Sequence, residues 1–227
     1  MKRALAVACA VGISAGAAAA GGGKARFSAH VDNQWFPLPP GTTYVYRGTK
    51  DGQHMRDVVT VTHRTRTIAG APCVVVRDLS YLNGRLEERT TDWYSQDARG
   101  NVWYFGEDTA ELDRNGDVKD RSGSWLAGRD GAKAGIYMPA HPRVGQSGRQ
   151  EYYKGQAEDH FRVVRFGAAV KVPYISSRKA LLTEEWTPLE PGVLDHKYYV
   201  RGIGSVREQS VKGPLERLDL LSVERSR

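Results

Sequence analysis

Cysteine is scarce: the chain has two in 227 residues, Cys9 and Cys73. That excludes a disulfide scaffold. Long apolar runs are missing after residue 20, so nothing later supplies the about 20 consecutive apolar residues of a spanning helix. Helical spacing of apolar residues is also missing over any stretch of about 12 residues or more. The Gly-x-Ser-x-Gly elbow and the Gly-rich phosphate loops are absent, which speaks against a serine hydrolase of that type, nucleotide hydrolysis and dinucleotide chemistry. The six His form no His-x-His or His-x-x-x-His pair. With 40% hydrophobic and 26% charged residues, the composition is that of a globular protein, not of a disordered chain, a collagen or a coiled coil.

What is present begins with an address. Met1-Lys2-Arg3 is a positive start, Ala4 to Ala20 carries no charge, and Ala18-Ala19-Ala20 precedes Gly21. This pattern predicts a secretory signal over residues 1–20, cleaved to leave a secreted or periplasmic protein. Lipid attachment at Cys9 is the competing reading, weakened by the missing Leu before it. Cleavage leaves Cys73 alone in the apolar run Pro72-Cys73-Val74-Val75-Val76, where an inert buried thiol is expected. The formal charge of +7 falls to +5, from 31 basic against 26 acidic side chains. The basic residues are dispersed, often beside an acid as in Arg56-Asp57, Arg77-Asp78 and Arg207-Glu208. Solvated strand faces with cross-strand ion pairs are the expected use of these charges. No nucleic-acid partner is expected, while peripheral contact with an anionic membrane surface fits the sign of the charge.

Residues 21–33 are Gly-rich and polar and read as a flexible leader. Residues 34–227 read as a single β-rich domain. Thr42–Arg47 is β-branched and aromatic; Met55–Ile68 alternates, with Val59 and Val61 on one side and Thr60 and Thr62 on the other. Asn83-Gly84 marks a hairpin. Strand-like runs continue to Val223, with turns at Gly155, Gly167, Pro191-Gly192, Gly202 to Gly204 and Lys212 to Pro214. Ser176–Ala180 reads as a short turn or helical step. Gly123–Gln146 lacks periodicity and reads as a long loop excursion. About a dozen strands at this spacing predict an all-β fold: a single antiparallel, strongly curved sheet or open (half) barrel.

Two stretches resemble a set of uncharacterised secreted bacterial β-proteins. One is Trp35-Phe36-Pro37-Leu38 with Gly41-Thr42-Thr43-Tyr44-Val45-Tyr46; the other is Asp92-Trp93-Tyr94 with Gln96-Asp97 and Gly100 to Glu107. The later Lys197-Tyr198-Tyr199-Val200-Arg201-Gly202-Ile203-Gly204-Ser205-Val206-Arg207 is similar to the ending of TapB-like periplasmic proteins. The resemblance implies an envelope protein built on an antiparallel, half-barrel-like sheet and implies no catalytic residue.

Several constellations could carry chemistry. Asp92, Asp97, Glu107 and Asp108 flank one aromatic hairpin; Asp92, Glu107 and Asp108 would be the metal-binding or acid–base set of an envelope metal protein or hydrolase. Pairing with Arg or simple solvation competes with that use. Asp113 to Asp117 lacks the glycine and glutamate positions of a calcium loop and reads as an Asn-Gly hairpin. His160 and His196, each beside an acid, would need to meet in space to act together.

The aromatic supply is unusual: five Trp and eleven Tyr against five Phe. Trp and Tyr suit half-wet surfaces. Trp93, Tyr94, Trp103, Tyr104, Tyr153, Trp186 and Tyr199 are therefore the candidate ligand-binding residues, on a concave sheet face that holds a hydrophobic, amphipathic or lipid-like molecule or a segment of an envelope protein. The expected function is non-catalytic binding or accessory work, with no cofactor. The alternatives are the carboxylate set above and a structural or assembly protein pairing through a sheet edge.

Overall fold

A computed structural model describes residues 26–226, and all its regular structure among them is β. The secretory signal, Cys9 and the first part of the expected leader lie outside the described residues. The strands are β1 (Phe27–Ser28), β2 (Thr42–Lys50), β3 (Gln53–Ile68), β4 (Ala71–Leu82), β5 (Arg85–Asp97), β6 (Val102–Leu112), β7 (Val118–Asp120) and β8 (Trp125–Leu126). They continue as β9 (Lys133–Met138), β10 (Ser147–Arg149), β11 (Glu151–Tyr152), β12 (His160–Lys171), β13 (Ser176–Trp186), β14 (Leu194–Val200), β15 (Gly204–Lys212) and β16 (Glu216–Arg225). Every pairing is antiparallel, in the order β10-β12-β13-β14-β15-β16-β2-β3-β4-β5-β6-β9-β11, with β1 on β5 and with β7 and β8 on β6. Two meanders, β2 to β6 and β12 to β16, are joined where β16 runs along β2 from Glu216↔Lys50 to Arg225↔Thr42.

The sheet curls into a nearly closed barrel with one seam, between β9 and β12. A single extended segment straddles it. Its first half, β10, pairs with β12 through Arg149↔His160; its second half, β11, pairs with β9 through Glu151↔Ala134. Gln150, between them, is 3% exposed and donates its backbone N–H to Asp159 O at 2.7 Å. The strap passes so close to β9 that a Cβ on Gly135 would lie 2.4 Å from Arg149 O and 2.5 Å from Gln150 C. Both atoms are backbone, so neither can swing aside. Gly135→Ala is expected to destabilise the barrel by about 2–3 kcal/mol, read as a lowered denaturation midpoint.

The sequence reading and the structure part company at four places. The expected excursion over Gly123–Gln146 contains β8 and β9, paired to β6 through Gly106↔Leu126 and Val102↔Met138. Trp125 and Met138 bury themselves there, but β8 has only two residues, too few to show a period. The expected turn at Gly167 is a bulge inside one strand, β12, whose register slips between Arg165 and Ala168. Ser176–Ala180 is the start of β13, with Ser176 opposite Lys171, and not a turn or helical step. The leader is part of the fold from Phe27 onward: Phe27 pairs with Asp97, Ser28 pairs with Gln96, and Val31 is buried.

Asn33 explains how a polar leader becomes structural. Its Nδ2 donates to Gly100 O at 2.9 Å and Pro139 O at 3.2 Å, and its Oδ1 accepts from the backbone N–H of Trp35 at 2.8 Å. Its own N–H donates to Gln96 Oε1 at 2.9 Å. These bonds seat Trp35 and Leu38, both buried, as a plug for that end of the barrel. Asn33→Ala strands two carbonyls and an N–H that have no other partner among the described residues. A loss of about 2–4 kcal/mol is expected by denaturant titration.

Candidate functional site

Successive side chains on a strand face opposite sides of a sheet. In this barrel that rule separates neighbours of opposite charge. Arg56 and Arg77 are exposed outside, while Asp57 and Asp78 point inward. Arg207 bonds Asp219 outside, at 3.0 Å through Nη2, while Glu208 faces the interior. The solvated strand faces expected for these charges hold for Arg56 and Arg77, but not for Asp57, Asp78 and Glu208, which the sheet turns inward.

The inward groups enclose a chamber of about 180 Å³. Phe36, Tyr44, Tyr46, Tyr94 and Tyr137 supply its rings; Asp57, Asp78, Asp92 and Glu208 supply its carboxyls; Lys197 is the cation on its wall. The rings are fixed by one another. Phe36 meets Tyr137 at 4.5 Å, and Tyr94 stacks on Tyr104 at 4.8 Å with 19° between the planes. Tyr104 donates to Asp92 Oδ1 at 2.6 Å. Lys197 Nζ lies 2.9 Å from Glu185 and 3.4 Å from Glu208. Glu185 also accepts from Tyr199 Oη and Thr183 Oγ1, each at 3.1 Å.

The interior disfavours charge on its acids. Burial raises Asp57 to about 6 and Asp92 to about 7, the latter against the Tyr104 hydrogen bond. Burial raises Glu208 to about 7 despite Lys197. Asp78 is pushed well above the usual carboxylate range by burial and by Asp57 and Asp92. Glu107, beside Asp92, rises to about 9, again through burial and then repulsion. Glu151 of the strap rises to about 8 while accepting from Trp125 Nε1 at 2.7 Å. Burial alone would discharge Lys197, but the Glu185 and Glu208 carboxylates outweigh it and hold its pKa well above normal.

The residues singled out from sequence are dispersed by this geometry. Tyr94 lines the chamber, Tyr104 stands directly behind it, and Tyr199 is fully buried on Glu185. Trp93 faces the other side of β5, under the Arg66 guanidinium at 4.5 Å. Trp103 is on the outer side of β6, edge-on to Phe27 and donating its Nε1 to Asp97 at 2.9 Å. Trp186 stacks on His160 at 5.5 Å, and Tyr153 bridges to Ala157. None of these last four lines the chamber. The trio Asp92, Glu107 and Asp108 is split as well: Asp92 pairs with Glu107 in register, whereas Asp108 is exposed and bonded to Arg121 at 2.9 Å. Among the described residues no three His, Cys, Asp or Glu are grouped to hold a metal. His196 approaches Glu184 at 3.6 Å and does not join His160.

Missed from sequence were Asp57, Asp78, Lys197, Glu208, Tyr44, Tyr46 and Tyr137. A signal existed for some: Asp57 is in phase with Val59 and Val61, and Asp78 with Val74 and Val76. A charged residue in phase with a strand's apolar face marks a polar interior.

The chain matches no protein-family model and no curated protein. A Bacteroides fragilis protein, described as exported and as having a YmcC-like fold, superposes with a TM-score of 0.50 over 85% of this chain and 100% of its own, at 14% identity. A Parabacteroides distasonis protein described as a lipoprotein covers the same shares at 10% identity with a TM-score of 0.44. The first likeness shows a YmcC-like fold. The TapB-like resemblance gains nothing from these neighbours, and its Tyr-Tyr and Gly residues form the β14–β15 hairpin, with Val200 opposite Gly204.

The raised carboxyls fix the sign of a pH effect. An acid whose pKa is higher folded than unfolded stabilises the fold fully below its unfolded value, and that contribution is lost as pH rises through the folded value. For Asp57, Asp92 and Glu208 the window runs from the ordinary carboxylate range up to about 6 to 7. The melting temperature is expected to be higher at about pH 5 than at about pH 8. Asp92→Asn, which mimics the neutral form, should flatten that slope.

Proposed function

We propose that this chain is an extracytoplasmic, non-catalytic binding or accessory protein that takes a small molecule into the barrel chamber. The observation that carries the reading is the chamber itself: a preformed space of about 180 Å³ walled by rings and a few polar groups. Concave, largely preformed sites with convergent polar groups are the usual form of ligand pockets. This one lies below the about 300–1,000 Å³ of drug-sized sites, so it favours a compact ligand over a lipid tail. The location draws on the signal-like residues 1–20 and on the first structural neighbour, described as exported.

A non-catalytic role is supported by how the reactive groups are held. Cys73 is buried, bonded to Ala71 O, and raised to about 12 by burial. Such a thiol is a poor nucleophile. The sheet-edge alternative is weakened at the part of the seam that the strap pairs, His160–Arg162 on one side and Lys133–Ala134 on the other.

Protein isolated from the extracytoplasmic fraction of its host is expected to carry a small-molecule adduct in native mass spectrometry. Val59→Trp, placed on the chamber wall, should lose the adduct while keeping a cooperative melt. Wild-type protein free of any adduct, and not stabilised by low-molecular-weight extracts of that fraction, overturns the reading.

A further inference from the structure

The chamber wall is unbalanced in a direction that specifies its occupant. Four carboxyls face the space against one ammonium. That ammonium, on Lys197, is already committed to Glu185 and Glu208. Asp92 has the Tyr104 hydroxyl. Asp57 and Asp78 have less: among the described residues Oδ1 of each is buried without a hydrogen-bond partner, and only Asp57 has a hydroxyl, that of Ser80, on its carboxyl. Buried acceptors in folded proteins are nearly always paired, so an orphaned one asks where its donor comes from. The two orphans are neighbours. Asp57 stands opposite Ser80 and Asp78 opposite Val59, which puts the carboxyls diagonally across the β3–β4 ladder on one face.

Aromatic faces carry negative electrostatic potential and attract cations. Tyr46 sends its hydroxyl to Ser205 O at 3.0 Å and Tyr44 directs its own to Pro37 O at 3.4 Å. Those two hydroxyls are therefore spent on backbone carbonyls rather than on the carboxyls.

We infer that the chamber binds a small organic cation, its ammonium head between Asp57 and Asp78 and its short apolar body against the tyrosine rings. This rests on the ligand-chamber reading above and adds the ligand's charge and size. An ammonium brings three N–H donors and a positive charge to two unpartnered acceptors. An anion would face four carboxyls, and a neutral molecule would leave the charge imbalance as it is. A cavity of about 150 Å³ admits benzene, so about 180 Å³ suits one ring or a short chain beside the head.

The carboxyls couple binding to protons. Asp57 has the Ser80 hydroxyl on its carboxyl and feels the charges of Glu216, Glu88 and Lys50, and Asp78 feels those of Asp57, Asp92, Glu88 and Glu208. Except for Lys50, these charged neighbours are acids and favour the protonated pair. A bound cation reverses that preference, so it displaces protons and binds more tightly as pH rises through the range in which the pair titrates.

The test titrates benzylamine, benzyl alcohol and benzoate into the purified protein. Calorimetry in two buffers of different ionisation enthalpy counts the protons exchanged. Benzylamine is expected to saturate with an affinity at least about tenfold above that of benzyl alcohol, to release protons, and to weaken as pH falls; benzoate should not saturate. Asp57→Asn and Asp78→Asn keep the shape of the protonated acid. Each should cost the amine about tenfold or more and leave the alcohol within about twofold. The proton count and pH profile of the unmodified protein give the same answer without a variant. Equal binding of alcohol and amine, or binding without proton release, overturns the cation assignment while the chamber reading stands. Failure of all three probes to saturate also overturns it. The chamber reading falls with it only if the native protein carries no adduct.

Discussion

Alternation on a closed sheet governs the rest of this molecule. On an open, two-sided strand an Arg-Asp neighbour pair is harmless, because both ends reach water. Curling the sheet makes one side an interior. The strict period of two then sends Asp57, Asp78 and Glu208 inward and their Arg neighbours outward. No rearrangement of rotamers can reunite them, since a backbone layer lies between. The chamber's acidity follows from strand phase plus closure.

An interior of this kind costs stability, because buried ionisable groups lose hydration. Two features contain the cost. Protonation is the first: raised pKa values keep Asp92 mostly neutral below about 7 and Glu107 below about 9. Tight packing elsewhere is the second. Val61, Leu181, Val206 and Leu220 are fully buried. The strap and the Asn33 plug then hold the seam and one end. These elements complete a barrel that the two meanders alone would leave open, which gives short polar segments an importance out of proportion to their apolar content.

The fold class was legible because its signals are local. Asn83-Gly84 turns the chain with both residues at positive φ, and β3 alternates valine and threonine over Val59–Thr62. What escaped was non-local. β8 is two residues long and forms because β6 offers Gly106, whose missing side chain lets Trp125 O approach; a Cβ there would sit 2.3 Å from it. Asn33 looks like leader until Gly100 and Pro139, far along the chain, present their carbonyls to it. The site was half legible. Tyr94 and Tyr104 could be named from an aromatic strand pair, but identity alone could not decide which ring of each adjacent pair faces inward. Trp93 and Trp103 went out because Tyr94 and Tyr104 went in. The acids were harder to see: Asp57 reads as one of many dispersed charges on a solvated strand face, although it shares phase with Val59 and Val61.

The same segregation changes what the net charge means. The formal +7 counts every carboxyl as ionised. Each interior acid that keeps its proton removes one negative charge from that sum, so the folded protein is more basic than its composition states. The excess is displayed outside, where Arg47 and Arg56 stand directly opposite each other on β2 and β3. Asp219 faces Arg47 from the β16 side, while Arg56 rests over the Tyr81 ring at 5.6 Å. Strand phase therefore places Arg56 and Arg77 on the exterior and the carboxyls of Asp57 and Asp78 in the chamber, so a net charge read from composition hides how far the two signs are separated.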